Sequence, residues 1–455
     1  QGAYFNDSDV YKLLESASWA LAGTDDPDLK ALVDNLIEDI ASAQQPDGYI
    51  NTYFMGERAS ERWQNFDLHE MYCAGHLIQA AVAHYRSTGE TRLLDVARRF
   101  ANHICERFGA ETDGKQFGND GHPEIEMALV ELYRTTGDPR YLDEAQFLVD
   151  NRGYGRVSAR PFDRFSQAYH QDHKPFRELT RLEGHAVRAV YLNCGAADVV
   201  AEKEEPELRA ALDRMWESMT SRQIYINGGL GPHYHNEGFG DEDYELPNHR
   251  AHAETCASVA NFMWNWRMLL LTADARYADL MELELFNSAL SGVSLDGKGY
   301  FYQNPLSDDG HHRRQEWFET ACCPGNISRL LSELPGYFYS TTDNGVWVQL
   351  YASNSATVTL PNGSTIELTQ RTNYPWSGKI SIEMATAGIY DLYLRLPGWC
   401  EADWMVSING DAAEYSLTDG NYIRLARTWA AHDVVTLNFP MPVQYVESHP
   451  YVTEN

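Results

Sequence analysis

Ala80-Ala81-Val82-Ala83-His84-Tyr85-Arg86-Ser87-Thr88-Gly89, followed by Leu93-Leu94-Asp95-Val96-Ala97-Arg98-Arg99-Phe100, carries apolar residues at helical spacing on both sides of a glycine. The same helix, turn and helix recur at Ala128-Leu129-Val130-Glu131-Leu132-Tyr133-Arg134-Thr135-Thr136-Gly137 and Tyr141-Leu142-Asp143-Glu144-Ala145, which makes an internal repeat. Weaker echoes follow around Ala186 to Trp216 and around Val259 to Leu290. Several αα-hairpins in a row, separated by long loops, predict a closed helical toroid of the (α/α)6 type. An open solenoid is the alternative, because a sequence displays the units and not their closure.

Near residue 340 the apolar period changes to two. Val346-Trp347-Val348-Gln349-Leu350-Tyr351, Thr357-Val358-Thr359-Leu360, Thr365-Ile366-Glu367-Leu368 and Lys379-Ile380-Ser381-Ile382-Glu383 alternate as half-buried strands do. Pro361-Asn362-Gly363 and Asn409-Gly410 supply hairpin turns between strands. The expected organisation is therefore a mainly α domain over 1–340 followed by a β-sandwich domain over 341–455. Both ends are open to extension, since neither carries a start or stop signal.

At 455 residues the chain exceeds one compact core. Its net charge of -30 argues against nucleic acid and anionic membranes, which want a basic face, and reads first as a solvated acidic surface. No apolar run is long enough for a membrane span, and the first residues have neither the basic nor the apolar region of a signal peptide. Seven cysteines, an odd number, favour a reducing compartment and hence a cytoplasmic location, while secretion stays open. Eleven Trp and 27 Tyr suit a carbohydrate cleft and a packed core equally. The assembly is undecided, with a homodimer left open.

Two cysteine motifs stand out: Ala253-Glu254-Thr255-Cys256 and Cys322-Cys323-Pro324-Gly325-Asn326. Glu254, Cys256, Cys322 and Cys323 together offer three soft thiolates and a carboxylate, a set that suits tetrahedral Zn2+. A vicinal disulfide or three unrelated core cysteines are the plainer readings. The gap between the motifs fits no standard zinc-finger spacing, so the fold would have to assemble the site.

His76, His122 and His185 each stand near the start of a predicted inner helix, in His69-Glu70-Met71-Tyr72-Cys73-Ala74-Gly75-His76, Gly121-His122-Pro123-Glu124 and Glu183-Gly184-His185. They would face one rim of the toroid, unless each merely caps or packs its own helix. Glu124 and Glu126 read as first-turn acids favoured by the helix dipole. In the acidic loop Asn236-Glu237-Gly238-Phe239-Gly240-Asp241-Glu242-Asp243-Tyr244-Glu245, Glu237 lies beside a glycine and near an aromatic. It is either part of a solvated loop or a general acid whose pKa is raised by a drier setting. Nucleotide and serine-hydrolase fingerprints are missing.

In this order the motifs resemble glycoside hydrolase family 127, the β-L-arabinofuranosidases, and their close relatives. The matching segments are Phe5-Asn6-Asp7-Ser8-Asp9-Val10, Glu70 to His76, Asp120-Gly121-His122, Gln171-Asp172-His173-Lys174-Pro175, Gly184 to Ala189, Ala253 to Ser258, Cys322-Cys323-Pro324 and Leu394-Arg395-Leu396-Pro397-Gly398-Trp399. The resemblance implies Zn2+ held by Glu254, Cys256, Cys322 and Cys323, with Cys322 as the nucleophile and Glu237 as the acid/base. It further implies that His76, His122 and His185 hold sugar hydroxyls, and that an oligosaccharide or glycoconjugate loses a terminal β-L-arabinofuranose with retention. Gly325 departs from the second proline common in the family, and the acidic loop is one residue longer than expected. Glu242 and Glu245 therefore remain substitutes for Glu237. Other readings are the same mechanism on another rare sugar, a zinc-thiolate toroid of the lanthionine-cyclase kind, and a non-catalytic sugar-binding protein with structural zinc.

Overall fold

The structure, a computed structural model, describes residues 2–157 and 166–454. It divides into two compact units: residues 1–264, 284–333 and 448–455, and residues 265–283 and 334–447.

The first unit is helical. Its helices in chain order are α1 (Asp7–Leu21), α2 (Pro27–Ala43), α3 (Glu70–Thr88), α4 (Arg92–Arg107), α5 (Ile125–Thr136), α6 (Pro139–Asn151), α7 (Ala186–Glu202) and α8 (Pro206–Arg222). α9 (Thr255–Thr272) begins in this unit, α10 (Ala275–Glu284) follows, and α11 (Cys322–Glu333) completes the series. The glycines of the sequence repeat are helix stops. Gly89 and Gly137 take φ of 76° and 75° and donate their N–H groups back to the carbonyls of Tyr85 and Tyr133. Only glycine enters that left-handed region without steric cost, so both hairpins turn at the same place. On the far side, Asp138 caps α6 by accepting from the Arg140 N–H, with Pro139 in the first helical position.

The odd-numbered helices form an inner ring. α1 packs on α3, α3 on α5 and α5 on α7, and α11 returns to pack on α1. The Cys194 thiol of α7 reaches the Ala260 carbonyl of α9 at 3.7 Å, and Cys256 of α9 meets Cys323 of α11 at 3.2 Å. The ring therefore closes, which decides for the toroid over the open solenoid. Position in the ring explains composition. α4, outside, buries one stripe (Leu93, Val96, Ala97, Phe100, Ala101, Ile104), whereas α3, inside, is buried on nearly every side.

The second unit carries two sheets. Its strands are β1 (Tyr339–Thr342), β2 (Gly345–Val348), β3 (Asn354–Thr359), β4 (Thr365–Thr372), β5 (Lys379–Met384) and β6 (Gly388–Arg395), then β7 (Met405–Ile408), β8 (Asp411–Ala412), β9 (Ser416–Leu417), β10 (Tyr422–Trp429) and β11 (Asp433–Asn438). The sheet orders are β1-β2-β6-β10-β9 and β3-β4-β5-β11-β7-β8, a sandwich that is antiparallel except for the β2–β6 pair. The expected turns sit where they should: Pro361-Asn362-Gly363 joins β3 to β4, and Asn409 and Gly410, both at positive φ, join β7 to β8. Within this unit the buried Arg395 guanidinium is held by Asp279 and Glu282.

Among the described residues no helix is long and apolar enough to cross a membrane.

Candidate active site

A cavity of about 680 Å3 opens at one end of the inner ring. Its deep wall is made by the N-terminal turns of two inner helices. Glu254 immediately precedes α9 and Cys256 lies in its first turn, while Cys322 and Cys323 open α11. The four ligand atoms all lie within 4.8 Å of one another. Cys256 Sγ is 3.2 Å from Cys323 Sγ, and Glu254 Oε1 is 3.5 Å from Cys322 Sγ and 3.7 Å from Cys323 Sγ. The Cys322 and Cys323 sulfurs are 3.8 Å apart, so no vicinal disulfide joins them, and none of the seven cysteines is in a disulfide.

These separations suit a metal. Sulfurs bound at about 2.3 Å to one tetrahedral ion stand about 3.8 Å apart, which the Cys322–Cys323 pair matches at 3.8 Å and the Cys256–Cys323 pair approaches at 3.2 Å. Glu254 Oε2 is moreover buried with no hydrogen-bond partner, a costly state that a cation relieves. The cluster can thus hold a metal ion.

The four groups differ in charge. Burial pushes Cys256, Cys323 and Glu254 well above their ordinary pKa values. Cys322 moves the opposite way: hydrogen bonds from Cys256 and then Cys323 outweigh its burial and hold it well below the usual thiol range. It is also the one member of the cluster not fully buried. Of the three thiols, Cys322 is thus the one whose surroundings most favour ionisation, and it lines the cavity.

Glu237 lines the same cavity. Its backbone is left-handed at φ 49°, and its loop is stitched to the start of α7 by backbone hydrogen bonds, Ala186 N–H to the Glu237 carbonyl and Phe239 N–H to the Gly184 carbonyl. That approach requires glycine at 238, where a Cβ would stand 1.9 Å from the Gly184 oxygen, while a Cβ on Gly184 would stand 1.9 Å from the Ala168 oxygen. Glu237 accepts from His185 Nε2 at 3.2 Å and from the Tyr302 hydroxyl at 3.4 Å. Burial pushes its pKa up, yet the His185 hydrogen bond and the His185 and His252 charges prevail, and the net shift is downward. The sequence-based expectation of a raised pKa is corrected here, because hydrogen-bond donors rather than a dry apolar wall surround the carboxylate. Glu242 and Glu245 do not line this cavity. Glu245 pairs with His233 at 2.7 Å and Glu242 is exposed.

The three histidines divide. His122 and His185 both line the cavity, their rings 5.6 Å apart. His185 also caps α7 by accepting from the Arg188 N–H, so it faces the cavity and caps its helix at once. His76 lies a turn deeper. It is fully buried behind Tyr72, its Nδ1 is 3.2 Å from Glu124, and it does not line the cavity. Glu124, read from sequence as a first-turn acid, is wholly buried, and burial pushes it up to about 8 despite Arg329. The rim position expected for His76 is held by His69, kept neutral by burial with a pKa lowered to about 3.

Several lining residues escaped the sequence reading. Arg188, buried, donates to the Gly121 carbonyl at 2.6 Å and to Asp67 at 3.2 Å, fixing the loop that presents His122. Tyr302, Tyr72 and Asp9 complete the polar wall. Arg188 and Asp9 stood in motifs already singled out, but only their neighbours in space reveal what they hold. Asp172 of the Gln171–Pro175 run is structural: it accepts the N–H groups of Gly153, Tyr154 and Val157.

Comparison with known proteins agrees with this geometry. Residues 1–336 match a family model described as the GH127 catalytic domain of β-L-arabinofuranosidases, and residues 345–441 match the GH127 middle domain. A non-reducing end β-L-arabinofuranosidase of Bifidobacterium longum subsp. longum is 38% identical, the alignment covering 99% of this chain and 73% of that one. The crystal structure of a GH127 β-L-arabinofuranosidase from Geobacillus stearothermophilus T6 superposes with a TM-score of 0.94 at 41% identity, over 99% of this chain and 75% of that one. A further solved GH127 β-arabinofuranosidase gives 0.92 at 39% identity, over 100% and 74%.

Proposed function

This chain belongs to the GH127 β-L-arabinofuranosidase family and is a glycoside hydrolase, and from that premise we propose that it releases a terminal β-L-arabinofuranose from a glycan with retention of configuration. The observation that carries the reading is a thiol favoured to ionise, Cys322, and a carboxyl group, Glu237, in one cavity with His69 and His122, which burial holds neutral.

Glu254, Cys256, Cys322 and Cys323 would hold Zn2+. When bound, the ion keeps its thiol ligands ionised and draws charge from sulfur, which makes Cys322 a better leaving group. Cys322 Sγ attacks the anomeric carbon while the bond from that carbon to the leaving oxygen breaks, and Glu237 gives its proton to that oxygen. A water then attacks the same carbon from the vacated side. Glu237 takes the water's proton, the C–S bond breaks, and Cys322 returns as thiolate. Two inversions give net retention, as in two-carboxylate glycosidases. His122 and His185 would accept or donate hydrogen bonds to sugar hydroxyls, with His76 supporting them from behind Tyr72. We assign this chemistry to residues 1–340 and treat 341–455 as a separate β-sandwich domain.

The test is release of p-nitrophenol from p-nitrophenyl β-L-arabinofuranoside under reducing conditions, beside the α-anomer and other pentosides. Selective turnover of the β-anomer is expected. Cys322→Ser should lower kcat by about 10^3-fold or more with the circular dichroism spectrum unchanged, and a Ser variant that keeps its activity overturns the nucleophile assignment.

A further inference from the structure

A general acid must stand beside the oxygen it protonates, so the part of the substrate beyond that oxygen has to pass Glu237. The segment that carries Glu237, residues 232–247, also walls a second cavity of about 590 Å3. Tyr234 and His235 line both cavities, so the two adjoin across the residues just before Glu237. The opposite wall is the C-terminal segment, held in place by Val452 in an apolar cluster with Tyr225 and Leu246 and by Asn248, which donates to the Glu454 carbonyl at 2.6 Å.

We propose that this second cavity is a leaving-group subsite that takes the one or two sugars following the terminal arabinofuranose. The inference rests on the glycosidase reading above. Its lining has the two features a sugar needs, flat apolar surface for the C–H face and polar groups for the hydroxyls. Tyr234 and Tyr451 are 50% and 72% exposed and so present their rings to a ligand. Both rings are oriented before any ligand arrives: Tyr234 meets His252 edge-on at 5.1 Å, and Tyr451 meets Tyr244, itself stacked at 4.0 Å on His449. Among the carboxylates, Glu245 is taken by His233 and Asp243 by Arg222, whereas Glu242 is exposed beside the rings and can accept from sugar hydroxyls. Such preorganisation lowers the entropy lost on binding a flexible oligosaccharide.

The experiment compares kcat/KM for p-nitrophenyl β-L-arabinofuranoside with kcat/KM for a disaccharide and a trisaccharide that end in the same β-linked sugar. It uses the full chain, Tyr451→Ala and Glu242→Gln. The parent should prefer the trisaccharide over the disaccharide by about tenfold, the effect of about 1.4 kcal/mol of added contact. Each variant should lose most of that preference through a raised KM for the longer substrate. A parent that turns over the aryl glycoside but is indifferent to chain length, or variants that keep the preference, overturns the subsite alone. A parent that releases no sugar from any of the substrates overturns the glycosidase reading and the subsite with it.

Discussion

Glu237 and His185 set the pH behaviour of the proposed reaction. Because the His185 hydrogen bond favours the charged form, the pKa of Glu237 in the empty site lies below the ordinary glutamate value. The first step needs Glu237 protonated, so kcat/KM, which reports the free enzyme, should be highest on the acid side and fall as the pH is raised toward neutrality. Replacing His185 by Ala removes the donor. The group's pKa then rises, and the alkaline limb of the kcat/KM profile should move to higher pH, alongside a loss of rate from the missing sugar contact. A limb that stays where it was shows that another group governs it. Cys322 follows the same logic with opposite consequence, since hydrogen bonds with Cys256 and Cys323 hold its pKa well below the usual thiol range.

At the scale of elements, the loop bearing Glu237 is fixed by the start of α7 as well as by its own His233–Gly238 pairing. Gly238 lies against the Gly184 carbonyl, and the His185–Gly238 bridge sets where the Glu237 side chain emerges. Gly238→Ala should cost about 1–3 kcal/mol of stability, measured by denaturant unfolding, and should lower kcat more than it raises KM because the acid is displaced from its oxygen. A variant with unchanged kcat shows that the loop positions Glu237 without that contact. The repeat glycines behave differently: Gly89 and Gly137 announce the end of a helix by local conformation alone, so they were legible in the chain. Gly184 and Gly238 answer to a partner distant in sequence, and no local pattern distinguishes them.

For the molecule as a whole, the cysteine cluster sits where the ring closes, with Glu254 and Cys256 at the start of α9 and Cys322 and Cys323 at the start of α11. A metal held there would tie two inner helices together. Removing it with a chelator should abolish turnover and lower the melting temperature by several degrees, and Zn2+ should restore both. Loss of activity with no change in melting temperature would mean that the ion serves chemistry alone. Membership of a glycoside hydrolase family also sets aside the lanthionine-cyclase reading, which shared the thiolates and the toroid but not the carboxyl group across the cavity.

The sequence by itself determined what depends on local periodicity and side-chain chemistry. The helix–glycine–helix repeat, the change to a period of two near residue 340, the hairpin turns and the presence of three soft thiols beside a carboxylate all follow from neighbours along the chain. The tertiary structure alone decided what depends on neighbours in space. It closed the ring through α11 and α1, brought Cys256 to Cys323, put His69 rather than His76 on the cavity wall, buried Glu124 at about pKa 8 and drew Glu237 downward through His185. The physical reason is common to all five. Burial and electrostatic shifts are set by which groups surround an atom in three dimensions, and residues far apart along the chain supply most of those groups.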